Sequence, residues 1–426
     1  MKTVVIVLVG MGIGIGCGSN DDSPVGEDGS PMAGPSLEKA SALPVPETKE
    51  PMPKEPKTES AERAPEKKQP DSDGGKVYSF DPAIEAAIRN SIIKPNGMLT
   101  KVDLDKVRWI LYLDGTKLTD VSELQVLTNL SVLKLRCDNE LMKWPTGIDK
   151  LTNLEELGLE DNLTSLPPEL DKLPKLKILQ LSGNKLTAVT GLERLPSLTN
   201  LNLSQNKMTT LPDGLEKLVK LTGLGLTSNK LTSVAGLEKL TKLNYLGLGN
   251  NALTTVAELG KLTNLRQLQL GGNALTTVAG LEELTNLEQL ILSNNKLTSL
   301  AGLDNLTKLK YLDLIGNKLT SLAGLGNLTK LEKLRLEGNK LDTFDGLEKL
   351  TNLKQLYLDG TGLTSLPSEL EKLTKLEVLG LTSNQLTSVA GLEKLQGLVR
   401  LYIYNNKLTE EQVKELKKLL PKCIIE

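Results

Sequence analysis

The sequence contains no histidine in its 426 residues. A Ser-His-Asp or Cys-His arrangement therefore has no base, and a His-ligated zinc has no ligand. Cysteine is nearly as scarce. Cys17, Cys137 and Cys423 are the whole set, which is no disulfide framework. Cys137 falls near the start of a long repeat array and Cys423 at its end. If the repeats stack, the two lie out of bonding reach, and each is expected to be a small buried apolar residue. Aromatic residues make up 3% of the chain, and 51 basic residues against 53 acidic ones leave a formal charge of −2. No net field draws such a chain to nucleic acid or to an anionic surface. The sequence offers no phosphate loop, metal-ligand cluster or nucleophile elbow. These absences exclude much of enzyme chemistry and point to a protein without catalytic residues, metal or cofactor.

What is present begins with an export signal. Lys2 precedes an unbroken run of apolar residues and glycine from Val4 to Ile15. The run is too short to span a bilayer but fits the core of a signal peptide. It ends in Gly14-Ile15-Gly16-Cys17, which resembles a bacterial lipobox. Gly16 and Cys17 match that pattern. Gly14 departs from it, since leucine is preferred there, and Ile13 lies one place too early. The resemblance implies export, lipidation of Cys17 and anchorage to the cell envelope, at the outer membrane or cell surface. The alternative is an ordinary signal peptide cut elsewhere, with Cys17 discarded. Two or more acyl chains, at about 0.8 kcal/mol per buried methylene, would hold the protein stably on a membrane. Residues 1–17 are thus the signal segment. Residues 18–79 are rich in Pro, Glu, Lys, Ser and Asp, as in Pro51-Met52-Pro53-Lys54-Glu55-Pro56. They carry too little apolar surface to offset chain entropy and are expected to form a disordered tether.

The rest of the chain repeats. Leu176, Leu179, Leu181, Asn184 and Leu186 follow the pattern L-x-x-L-x-L-x-x-N-x-L. The "N" position recurs at 116, 138, 162, 184, 206, 229, 251, 273, 295, 317, 339, 361, 384 and 406, which gives fourteen repeats. Spacing is 22 residues nearly throughout, 23 where a Leu-Pro variant adds one, and 24 once. Alternation in Leu179-x-Leu181 is that of a strand with leucine pointing inward. One such strand cannot bury itself; stacked neighbours pair into a parallel sheet over a continuous leucine core. The eleven asparagines at the "N" position are expected to bond backbone groups left free where the chain turns off the strand, a structural role. Thr116, Asp138 and Thr361 should make looser bends. Asn162, followed directly by Leu163, should distort its own. Return segments such as Leu231 to Leu240 carry apolar positions that close the core.

This pattern resembles the leucine-rich repeat, and within it the 22-residue bacterial class typified by internalins. The likeness covers about residues 80–426. It implies an α/β solenoid: a horseshoe of about 14 repeats with a parallel concave sheet and short helical caps at both ends. Residues 80–107 form the first cap, with Asp81 at the N-cap and Pro82 opening an amphipathic helix. Residues 108–408 hold the repeats. Residues 409–426 form the second cap, where Thr409-Glu410-Glu411-Gln412 is a capping box and Val413, Leu416 and Leu420 share a face. The wall-sorting signal and immunoglobulin-like domain usual among internalins are absent, so host-cell invasion does not carry over.

In this family the concave face is the usual binding surface. Three outward strand residues per repeat lie six, four and two places before the "N" position. Six of the seven tyrosines fall there: Tyr112, Tyr245, Tyr311, Tyr357, Tyr402 and Tyr404. Part of this excess follows from the strand preference of tyrosine. Exposed tyrosines on a rigid sheet are nonetheless good interface anchors. Charge on this face is segregated. Lys134, Arg136, Glu156 and Glu160 lie near its start, and Asp313, Lys333, Arg335, Glu337 and Asp359 form a mixed cluster in repeats ten to twelve. From Ile178 to Ser293 the outward positions are uncharged. They form either a smooth trough for a close-lying ligand or the product of drift in duplicated repeats. The expected function is a monomeric, envelope-anchored binding module for a protein or glycan ligand, with no nucleic-acid partner. The alternatives are a surface adhesin for another cell, or a regulatory subunit of an enzyme.

Overall fold

A computed structural model describes residues 78–113, 121–136, 147–160, 162–166 and 168–426, without the side chains of 111–113, 136, 168 and 169. Cys17, the tether to residue 77 and Cys137 lie outside the described residues.

Two helices open the fold: α1 (Pro82–Ile92) and α2 (Lys101–Leu104). Fifteen strands follow among the described residues. They are β1 (Trp109–Leu113), β2 (Val132–Arg136), β3 (Glu156–Glu160), β4 (Ile178–Gln180), β5 (Asn200–Asn202), β6 (Gly223–Gly225), β7 (Tyr245–Gly247) and β8 (Gln267–Gln269). The series continues with β9 (Gln289–Ile291), β10 (Tyr311–Asp313), β11 (Lys333–Arg335), β12 (Gln355–Tyr357), β13 (Val378–Gly380), β14 (Arg400–Tyr402) and β15 (Ile424–Ile425). A third helix, α3 (Glu410–Leu419), lies between the last two. The strands form one open parallel sheet in chain order. Most returns run through a single turn of 3-10 helix, such as Leu237–Lys239. The inward strand leucines and the return residues Leu231, Val234, Leu237 and Leu240 are fully buried. Each such side chain contributes roughly 1.5–3 kcal/mol of hydrophobic stabilisation.

The turn after each strand is locked by its asparagine. Asn317 Nδ2 donates to the Leu314 carbonyl of its own repeat and to the Leu292 carbonyl of the one before, both at 3.0 Å. Its Oδ1 accepts from the Leu297 backbone N–H, also of the preceding repeat, at 3.0 Å. Ten of the eleven asparagines bond both carbonyls: 184, 206, 229, 251, 273, 295, 317, 339, 384 and 406. The expected structural role holds. The residue before each of these asparagines has positive φ, from Gly183 to Asn405. In the shortened third repeat Asn162 itself takes that left-handed place (φ 63). Leu163 then resumes the usual register by donating to Asn184 Oδ1 at 3.0 Å.

Thr361 interrupts the ladder. Its hydroxyl bonds the Leu358 carbonyl of its own repeat at 2.7 Å and Asn384 Oδ1 of the next repeat at 3.3 Å; threonine is too short to span to the preceding repeat. Leu341 and Phe344, in the return just before it, are 8% and 7% exposed, whereas Leu319 and Leu322 one repeat earlier are at 0%. An isolated bridge between Ser321 and Thr343 ties that return instead.

Immediately before strands β8 to β13, charges alternate along successive repeats: Arg266, Glu288, Lys310, Glu332, Lys354 and Glu377. Arg266 and Lys310 pair with Glu288 at 3.2 and 2.7 Å, and Lys354 with Glu332 at 2.8 Å. Exposed pairs of this kind are worth little singly. A strand mispaired two repeats away would, however, meet like charge, and the near-identical leucines give no such discrimination.

Three details depart from the sequence reading. The first cap holds two helices, because Thr100 and Asp103 form a capping box that starts α2. In β1 the register sets Ile110, not Leu111, opposite Leu133, and a bulge restores Leu113 opposite Leu135. The second cap is not wholly helical. Pro421 cannot extend α3, and Ile424 and Ile425 pair with Arg400 and Leu401 as a fifteenth strand. Asp81 caps α1, and Thr409 with Gln412 forms the capping box on α3, as expected. Cys423 is half-buried rather than fully buried and packs against the core.

Two tests follow from the ladder and the first cap. Asn317→Ala should cost roughly 2–4 kcal/mol by leaving buried backbone groups unpaired, and Thr361→Asn should add about 1 kcal/mol by closing the gap. Urea unfolding of both variants checks this, and equal stability of Thr361→Asn and wild type would count against the ladder as the limiting element. Asp103 is buried, which alone would raise its pKa. Bonds from Lys94, Thr100 and Lys106 outweigh burial and hold it well below the ordinary carboxylate range. Its stabilisation is therefore present above its unfolded value of 3.8 and is lost as pH falls through and below it. Asp103→Asn should lose roughly 1–3 kcal/mol at pH 7, with the difference from wild type shrinking at low pH.

Candidate functional site

The sheet's outward face is built by strand alternation: leucines enter the core and their neighbours face solvent. Pairing then brings residues 22 or 23 apart in the chain side by side. One row runs Tyr311, Lys333, Gln355, Val378, Arg400. The next runs Asp313, Arg335, Tyr357, Gly380, Tyr402.

On β10 to β12 these rows form one connected cluster. Lys333 Nζ lies 5.4 Å from the Tyr311 ring centre and 5.5 Å from that of Tyr357. The Arg335 guanidinium lies 5.6 Å from the Tyr357 ring centre. Such contacts contribute roughly 0.5–2 kcal/mol each. Arg335 also donates twice to Glu337 Oε1, at 3.0 and 2.7 Å. Tyr311 Oη donates to Asp313 Oδ2 at 3.3 Å, and the Ile315 N–H donates to Asp313 Oδ1 at 3.1 Å. Asp359 Oδ1 accepts from the Thr382 N–H at 2.8 Å.

Partial burial controls the electrostatics. Burial and the neighbouring Asp313 push the Tyr311 hydroxyl up to about 12. Burial lowers the Lys333 ammonium, with Arg335 adding to the effect. Burial raises both Glu337 and Asp359 despite their bonds to Arg335 and to the Thr382 backbone. Burial works against the charge on Arg335 too, but its bond to Glu337 prevails and its pKa rises. Glu337 Oε2 is buried and has no hydrogen-bond partner among the described residues.

Of the residues singled out from sequence, Tyr311, Asp313, Lys333, Arg335, Glu337, Tyr357 and Asp359 come together here. Tyr402 lies two strands beyond Tyr357. Tyr404 is 57% exposed on the same edge repeat. Tyr245 is apart on β7, where its hydroxyl donates to Gln269 Oε1 at 3.3 Å and its ring covers Gly247. The side chain of Tyr112 lies outside the described residues, as does Cys17. In the uncharged stretch the glycines are not open floor. A Cβ on Gly225 would fall 2.6 Å from Asn202 Oδ1, and one on Gly247 2.9 Å from Tyr245 Oη. Near the start, Lys134 and Glu156 pair at 2.7 Å across β2 and β3. Sequence reasoning missed Thr382, whose backbone N–H and side chain both bond Asp359, because the pairing crosses from one repeat to the next.

The model for leucine-rich repeats (2 copies) matches residues 152–194, 241–283, 285–327, 307–349, 329–372 and 351–394. A second leucine-rich-repeat model matches residues 174–231. A leucine-rich-repeat protein of Leptospira interrogans is similar in structure, with a TM-score of 0.67 and 31% identity, covering 80% of this chain and 98% of that one. An internalin (inlF) of Listeria monocytogenes gives 0.63 and 26%, covering 81% and 94%. The functional domain of InlJ, also from Listeria monocytogenes, gives 0.59 and 24%, covering 77% and 75%, and shares the fold. Comparison with the curated proteins gives no match. The sheet, the asparagine ladder and these likenesses define an open solenoid. The chain belongs to the leucine-rich-repeat family, whose members typically serve in protein binding.

The raised carboxyls make a testable cost. For an acid raised in the fold, stability is fully present below its unfolded value and is lost as pH rises through the folded one. Unfolding free energy should therefore fall as pH rises above 3.8 for Asp359 and 4.5 for Glu337. The Glu337→Gln, Asp359→Asn double variant should flatten that fall. Parallel profiles for variant and wild type in urea unfolding between pH 4 and 7 would dismiss it.

Proposed function

We propose that this protein is a non-enzymatic binding module of the bacterial cell envelope that takes a protein ligand on the outward face of its sheet. The observation that carries the reading is the cluster of Tyr311, Asp313, Lys333, Arg335, Glu337, Tyr357 and Asp359, with Tyr402 and Tyr404 at its flank. Tyrosine and arginine are the side chains that most often anchor protein interfaces. Here they stand on short paired strands, so little backbone entropy is lost on binding. Tyr245 extends the same face toward earlier repeats. Lipidation at Cys17 and the tether of residues 18–79 would hold the module at the membrane while leaving the face free. No helix among the described residues is long and apolar enough to cross a membrane. The module acts as a monomer and needs no cofactor or nucleic acid.

Crosslinking in native envelopes tests the reading. The full chain should capture a defined protein that a folded Tyr311→Ala, Tyr357→Ala, Tyr402→Ala variant captures at least about tenfold less. Equal capture by both would move the site off this face. For the anchor, Cys17→Ser should abolish incorporation of a labelled fatty acid and release the protein from the membrane fraction. Unchanged labelling would rule out Cys17 as the lipidated residue.

A further inference from the structure

The cluster is unevenly satisfied, and what it lacks has a definite sign. Both of its cations are committed: Lys333 lies between the Tyr311 and Tyr357 rings, and Arg335 holds Glu337 Oε1 and faces Tyr357. Its carboxylates outnumber them, with Asp313, Glu337 and Asp359 against Lys333 and Arg335. Asp313 is satisfied locally by Tyr311 and the Ile315 backbone. Glu337 and Asp359, adjacent on neighbouring repeats, are not. Glu337 Oε2 has no partner among the described residues, and Asp359 is bonded by the backbone N–H and side chain of Thr382 but by no cation.

Beside Asp359 the sheet leaves a slot. Tyr357, Gly380 and Tyr402 are successive register partners, so a residue without a side chain separates two tyrosines. Their strands are two steps apart, which sets the ring-bearing backbones about 9–10 Å from each other. The Asp359 carboxylate and the Tyr357 ring edge form the floor of this gap: Gly380 is buried beneath them, and a Cβ there would clash with Asp359 Oδ2 and lie 3.0 Å from Tyr357 Cδ1. Arg400, at the rim, bonds Tyr402 Oη at 3.4 Å. Aromatic walls with a carboxylate at the base attract a cation through ring quadrupoles and direct charge together. Lys333 and Arg335 are committed and leave no free base at the floor for an anion, and Arg400, the one further cation nearby, lies at the rim and bonds Tyr402 Oη.

Resting on the reading of this face as a protein-binding site, we infer that the slot between Tyr357 and Tyr402 receives one basic side chain of the protein ligand, a lysine or arginine. Its head group contacts the Asp359 carboxylate, with Glu337 adding negative charge behind it. The partner's cation offsets the desolvation that the two carboxylates carry in the free protein.

A random-peptide display library panned on the full chain tests this. Enriched peptides should share a lysine or arginine. Their affinity should fall at least about tenfold for Asp359→Asn and for Glu337→Gln, as for truncation of a buried charge pair. Replacing that residue in the peptide by norleucine or citrulline should produce the same loss on wild-type protein, independently of any folding defect in the variants. Peptides that lack a basic residue, bind both carboxyl variants as well as wild type, and are lost on Tyr357→Ala would overturn the inference and leave the binding face standing. Peptides insensitive to all three variants, or no enrichment at all, would overturn both.

Discussion

The asparagine ladder is the constraint on which this fold depends. A strand of three residues cannot hold a turn in place, and each turn buries carbonyl and N–H groups away from water. The amide of an asparagine supplies both donor and acceptor from one short side chain. It satisfies two carbonyls and one N–H, and two of these three belong to the preceding repeat. Each repeat is thus closed by the next one. Stability is distributed along the array as nearest-neighbour terms, and the ends must be finished by other means. Phe80, Ile84 and Ile88 cover one end of the core, and Leu416 and Leu420 the other.

Because ladder and leucine core occupy the inner positions, the outward strand positions are left to vary. Most of the sheet uses small or neutral residues there, and its glycines make room for neighbours such as Asn202 and Tyr245. Repeats ten to twelve instead gather three carboxylates, two cations and two tyrosines. Partial burial of charge is costly, and the bonds to Glu337 and Asp359 offset that cost only in part. The ladder's one substitution by threonine among the later repeats, Thr361, follows Asp359 by two residues. Local order and surface chemistry therefore both change in the same short region.

Much of this was legible in the sequence. Leucine spacing determined the strands, their order and the core, because burying a one-sided strand has one economical solution when the neighbour has the same pattern. The recurring asparagine announced its structural role by recurrence, and Asp81-Pro82 and Thr409-Gln412 marked helix starts through local capping chemistry. Asn162-Leu163 announced its own distortion by being one residue short. The left-handed residue before each asparagine was not anticipated. Glycine, asparagine, serine and glutamine share that place, so no single residue type flags it.

Other features became visible only in three dimensions. The bulge in β1 and the fifteenth strand depend on what each end of the sheet can pair with, which spacing does not encode. The sequence placed Tyr311, Lys333, Arg335, Tyr357 and Asp359 on one face, but their grouping spans about fifty residues of chain. Lys333 sits between two tyrosines, and Asp359 turns toward Gly380, only because parallel pairing sets successive repeats about 4.8 Å apart. Local pattern determines which way a side chain faces, since that follows from the strand's own period. Which side chains meet across that face, and which carboxylate oxygen is left without a donor, depends on distances between strands and was decided by the tertiary structure.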